Sequence, residues 1–98
     1  MSTLKGKVAI VTGAGRGLGR AIAEGLARQG ASITCAARTQ AQIDETADIL
    51  RGLGVKALTV STNVADEEQV NNMVAKTVEE FGRVDIMINN AGITSQDR

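Results

Sequence analysis

The sequence predicts an α/β fold, a doubly wound parallel sheet with helices on both faces. Three observations carry that expectation. Short β-branched apolar runs recur at 7–12, 32–36, 56–62 and 84–89. The stretches between them repeat their apolar residues at helical spacing. A glycine-rich segment, Thr12-Gly-Ala-Gly-Arg-Gly-Leu-Gly19, joins the first run to the first helical stretch. Regular strand–helix alternation implies parallel strands joined by right-handed crossovers.

Lys7 to Thr12 is continuously apolar after its lysine, as a strand buried on both faces requires. Leu18, Ile22 and Leu26, with Ala21 and Ala27, predict a helix from about Gly17 to Gln29, ended by Gly30. Ser32 to Ala36 is the second strand, with Cys35 as small-residue packing. Thr39 followed by Gln42 has the form of a capping box, and Ile43, Ala47 and Leu50 give the next helix its stripe before Gly52 and Gly54 end it. Lys56 to Thr62 is the third strand. Asp66 and Gln69 repeat the capping-box pattern, and Glu67 and Glu68 suit a positive helix end better than a metal site. Val70, Met73, Val74, Val78 and Phe81 form the clearest amphipathic stripe, closed by Gly82. Val84 to Asn89 is the fourth strand, with Met87 on a core position, and Asn90 to Arg98 read as loop. The expected order is β-α-β-α-β-α-β with strands 3-2-1-4, one Rossmann-type half plus a strand, all 98 residues belonging to one dinucleotide-binding unit. The first two helices should cover one face and the third the other.

Composition removes several classes of function. The chain has 11 Lys plus Arg against 11 Asp plus Glu, no His, Tyr, Trp or Pro, one Cys and one Phe. One cysteine makes no disulfide framework, and without histidine there is no zinc cluster and no Ser-His-Asp or Cys-His nucleophile. Zero net charge with one aromatic argues against a nucleic-acid groove. No apolar run is long enough to span a membrane, and the opening residues lack the apolar stretch of a signal peptide, so a cytoplasmic location is expected.

The glycine loop carries the chemistry. Gly13 permits a sharp turn, Gly17 lets the backbone approach a pyrophosphate, and Gly19 lets the helix pack close to the sheet. The amides of the first helical turn and the helix dipole then face phosphate oxygens. No Gly-Lys-Ser/Thr follows, which sets aside a Walker-type phosphotransferase.

Thr12 to Gly19 resembles the TGxxxGxG signature of the short-chain dehydrogenase/reductase family. Asn89-Asn90-Ala91-Gly92 is similar to its NNAG motif, and Asn63-Val64 stands where the family lines its adenine pocket. Asn90 to Thr94 leans towards 3-oxoacyl-acyl-carrier-protein reductases. The resemblance implies that Gly13, Ala14, Gly15, Arg16, Gly17, Leu18 and Gly19 hold the pyrophosphate and adjacent ribose. It implies that Asn63 and Val64 border the adenine, that Asn90, Ala91 and Gly92 line the ribose side, and that the motif's asparagines also brace the sheet. The second strand ends Ala36-Ala37-Arg38, without the acid that would bind a ribose 2′-hydroxyl. Arg38, helped by Arg16, is placed to pair with a 2′-phosphate, so NADP is expected over NAD. The implied activity is hydride transfer between nicotinamide and a small carbonyl or alcohol substrate, usually in a homotetramer or homodimer, with no nucleic-acid or membrane partner. Family members run to about 250 residues and carry a Ser and a Tyr-x-x-x-Lys pair beyond NNAG. This sequence has no tyrosine, and Ser95 lies too close to NNAG to be the family's serine. The expectation is therefore the cofactor-binding half of such an enzyme, without catalytic residues and inactive alone. The alternatives are a stand-alone nucleotide-binding module or an inactive truncated chain.

Overall fold

The computed structural model describes residues 3–90. Seven elements follow in strict alternation: β1 (Val8–Thr12), α1 (Gly17–Arg28), β2 (Ser32–Ala37), α2 (Gln40–Gly52), β3 (Ala57–Ser61), α3 (Glu67–Phe81) and β4 (Ile86–Ile88). The four strands form one parallel sheet in the order β3-β2-β1-β4, the expected Rossmann-type arrangement. The register sets Val8 opposite Ser32 and Thr12 opposite Ala36, while Ala9 pairs with Ile86 across the other edge of β1.

Strand alternation divides the core in two. Ala9, Val11, Ile33 and Cys35 face α1 and α2, meeting Ala23, Ala27, Ile43 and Leu50. Ile10, Ala36 and Val60 face Met73 of α3. Thus the first two helices cover one side and the third the other. Every residue of β1 is buried, which explains why its sequence reads as unbroken apolar character rather than alternation. Burial pushes the Cys35 thiol up to about 12, with Arg51 pulling weakly the other way, so this sulfur is packing and not a nucleophile.

Several local expectations shift. In α1 the buried residues are Gly19, Ala23 and Ala27, with Ile22 and Leu26 beside them. Small side chains bring this helix close to the sheet, so Leu18 falls at its margin and is 58% exposed. In α3 the buried stripe passes through Thr77, not Val78. Positions 70, 73, 74, 77 and 81 keep helical spacing, and residue 78 lies one step round the helix. Burial of Thr77 is tolerated because its hydroxyl donates to the Met73 carbonyl at 2.8 Å and meets Thr34 Oγ1 at 2.9 Å. Met87 is exposed instead of core, since α3 packs over β1, β2 and β3.

The helix starts also differ. Thr39 makes no side-chain cap, so the Thr39–Gln42 box does not form; Gln42 donates its backbone amide to the Thr39 carbonyl instead. Asp66 does cap α3, accepting from the amides of Glu68 and Gln69. Its box is altered, because Gln69 Oε1 accepts from the Asn63 amide at 2.8 Å instead of the Asp66 amide. Gly82 closes α3 in the left-handed conformation. Strand β4 is three residues long, shorter than expected at both ends, and is anchored at its base by Asp85. The Asp85 carboxylate accepts from the Val8 amide at 2.8 Å while its own amide donates to the Val8 carbonyl.

Candidate functional site

All strand-to-helix turns of a parallel sheet lie beyond the carboxyl ends of its strands, and there the glycine loop leaves β1 beside the ends of β2 and β4. The loop reverses direction through Gly13 and Gly17, both at positive φ (66° and 59°). Gly17 has nothing within 4 Å of where a Cβ would stand, so its backbone borders open space. Gly19 is the opposite case. A side chain there would collide with the Gly13 carbonyl and stand 2.7 Å from Asn90 Nδ2. The close packing expected of Gly19 is real, but its partner is the loop itself and the end of β4's connection, not the strands.

Gly13, Gly15, Arg16, Gly17 and Leu18 line a cleft of about 290 Å³, completed by Ala37, Gln42 and Asn90. Helix α1 opens onto it without a side-chain cap and without an acid in its first turn. Arg16, extended at φ −165°, is the N-cap residue, and its side chain is exposed. Buried Asn90 donates a long hydrogen bond from Nδ2 to the Gly13 carbonyl at 3.4 Å, while among the described residues its Oδ1 has no partner. A cleft bordered by the glycine loop and an uncapped helix N-terminus, with one orphaned buried acceptor, fits an anion that also carries hydroxyl groups.

Other expected residues are not on the wall of this cleft. Ala14 is fully buried beneath the loop, its amide bonded to the Ala36 carbonyl at 3.2 Å. Arg38 is exposed immediately after β2, and its carbonyl accepts from Ser61 Oγ. Asn63 uses its Oδ1 to accept from the Ala65 amide, shaping the turn before α3, and Val64 is 41% exposed. Ala91 and Gly92, like Ser95, fall outside the described residues.

Three residues had no site role in the sequence reading. Gln42 lies against the loop, 2.9 Å from a Cβ built on Gly15. Arg20 and Thr46 reach the loop's carbonyls from behind: Arg20 Nη2 donates to Gly15 O at 2.6 Å and Thr46 Oγ1 to Ala14 O at 2.8 Å. Only the distance between α1 and α2 reveals these contacts, although an arginine directly after the last loop glycine was a visible hint.

The short chain dehydrogenase profile matches residues 7–98, and the chain belongs to that family. It is 46% identical over 92 residues to an uncharacterized oxidoreductase of Thermotoga maritima, covering 94% of this chain and 36% of the relative. It is 42% identical over 94 residues to L-rhamnose 1-dehydrogenase (NAD(P)(+)) of a Sphingomonas species, covering 95% and 37%. Among solved structures, L-sorbose reductase from Gluconobacter frateurii, complexed with NADPH and L-sorbose, superposes with a TM-score of 0.88 at 42% identity, over 94% of this chain and 36% of that one. The chain thus spans little more than a third of the length of these relatives. Nicotinamide dinucleotides are the family's cofactors. No helix among the described residues is long and apolar enough to cross a membrane.

Proposed function

We propose that residues 1–98 form the cofactor-binding part of an NADP-dependent oxidoreductase that acts on a small carbonyl or alcohol substrate. The observation that carries this reading is the open, uncapped start of α1 over a cleft whose β2 side ends in Ala37 and Arg38, with no carboxylate there. The Gly15 and Arg16 amides, with the α1 N-terminus, would hold the pyrophosphate. Asn90 Oδ1 would accept from a ribose hydroxyl, and Gly13, Leu18 and Gly19 complete the loop around it. Asn63 and Val64, with Ala91 and Gly92, would border the adenosine. Arg38 and Arg16 would take a 2′-phosphate by charge-assisted hydrogen bonds, where an NAD enzyme would present an acid.

Nicotinamide, when bound, supplies the hydride chemistry. This chain's own residues bind and orient. Protonation of a substrate oxygen needs a donor within about 2.6–3.2 Å of it. The chain contains neither Tyr nor His, and among the described residues Asp66 caps α3, Asp85 anchors β4, and Glu24, Glu45 and Asp48 pair with arginines. These residues alone are therefore expected to bind nucleotide without measurable turnover, in a cytoplasmic protein whose proton donor lies outside this stretch.

Calorimetric titration with NADPH and NADH tests the reading. NADPH should bind about 10- to 100-fold more tightly, as one or two charge-assisted hydrogen bonds allow. Ala37→Asp combined with Arg38→Ala should reverse the order. Equal affinities, or tighter NADH in the unaltered chain, would refute the NADP assignment.

A further inference from the structure

Flexible glycine loops bind anions well only if their peptide planes are already turned the right way. In a trans peptide the C=O and the next N–H point in opposite directions. The orientation of the carbonyls of Ala14 and Gly15 therefore decides where the amides of Gly15 and Arg16 point. Both carbonyls are held from the side of α2. Thr46 Oγ1, fully buried, donates to Ala14 O at 2.8 Å. Arg20 Nη2 donates to Gly15 O at 2.6 Å, and its Nε donates to Thr46 Oγ1 at 2.9 Å. The same Nη2 meets Glu45 Oε1 at 2.9 Å, which fixes the guanidinium on the α2 surface.

We propose that Arg20, acting with Thr46, is the positioning residue of the glycine loop, locking two consecutive carbonyls away from the cleft so that their amides are presented to a phosphate. The inference deepens the dinucleotide-binding reading and rests on it. Arg20 touches no ligand in this scheme. Its guanidinium fork is directed at a carbonyl and a hydroxyl on the rear of the loop, and its charge also offsets the negative ends of the carbonyl dipoles it holds. With the clamp removed, the peptides at 14–15 and 15–16 are free to rotate. Their orientation must then be restored whenever nucleotide binds, which lowers affinity.

The test compares NADPH affinity with stability in the full chain. Arg20→Ala should weaken NADPH binding about 10- to 100-fold. Arg20→Lys, which keeps charge but loses the fork, should recover part of that loss. Thr46→Val should weaken binding about 3- to 10-fold. Thr77→Val serves as the structural control, because it removes a buried hydroxyl pairing on the opposite face of the sheet. It should lower the unfolding midpoint while leaving NADPH affinity within about two-fold. Should Arg20→Ala fail to fold, Arg20→Lys and Thr46→Val against Thr77→Val make the same comparison. NADPH affinity that falls no further in the Arg20 and Thr46 variants than in Thr77→Val overturns the positioning role alone. An unaltered chain that binds no NADPH overturns the dinucleotide reading and this inference together.

Discussion

Asp85 shows how one side chain outside the cleft fixes the frame that holds it. Its carboxylate takes two kinds of donor, the Arg83 guanidinium at 2.8–3.2 Å and the Val8 amide at 2.8 Å. The Arg83 pairing, and after it the Val8 amide, hold its carboxyl below the ordinary value of 3.8. A carboxylate with a depressed folded-state pKa contributes stability that is fully present above the unfolded value and lost as pH falls through the folded one. The unfolded chain binds the extra proton first, so stability declines with acid in the window below about pH 5. Asp85→Asn keeps an acceptor for the Val8 amide but loses the ionic partner. It should be less stable than the unaltered chain at neutral pH and converge with it as the pH falls through the depressed folded-state value, where the Asp85 carboxyl is protonated in folded and unfolded chains alike. Parallel pH-dependent melts of the two proteins check this; a constant gap down to the lowest pH would show that the charge of Asp85 contributes nothing.

Among the elements, α3 and α1 solve the same problem in opposite ways. Both begin just after a strand, and both leave first-turn amides to be satisfied. Helix α3 satisfies two of them with Asp66, at 3.0 and 3.4 Å. Helix α1 satisfies none with a side chain. Asp66→Ala should cost about 0.5–2 kcal/mol in denaturant unfolding, with faster amide exchange at Glu68 and Gln69. Unchanged stability and exchange would mean that the Gln69–Asn63 contact holds the turn by itself. The contrast also explains what the sequence made legible. Strand order, helix faces and the glycine loop follow from apolar period and from residues that only a tight turn requires. Thr77 escaped because periodicity reasoning passes over a hydroxyl, and a threonine can be buried once a backbone carbonyl takes its proton. Leu18 misled for the complementary reason: it is apolar and in phase, yet small residues at Gly19, Ala23 and Ala27 set the contact distance and leave it at the cleft mouth. The contacts of Thr46 and Gln42, and all of Arg20's beyond the hint of its position after Gly19, depend on two helices that meet only after folding.

For the molecule as a whole, the least protected region is the β4 side. Among the described residues β4 pairs only with β1, leaving its far edge unpaired, and Met87 and Val78 are 39% and 45% exposed. An apolar strand with a free backbone edge is a template for another chain. The 98-residue chain should therefore associate as its concentration rises, and Met87→Lys should reduce that association severalfold in sedimentation experiments. A chain that stays monomeric at millimolar concentration would contradict this. Topology has a second consequence, in the order of synthesis. Strand β1 lies at the middle of the sheet and is made early, yet one of its neighbours is β4, whose anchor Asp85 bonds Val8 from 77 positions away. A growing chain can close β1 against β2, and β2 against β3, early, as those contacts are nearer in sequence. Until the last of these elements emerges, the most apolar strand of the protein has one side open. Asp85 and Arg83 stand immediately before β4, so the polar latch forms as that strand arrives, and the central strand ceases to be an edge only at that step.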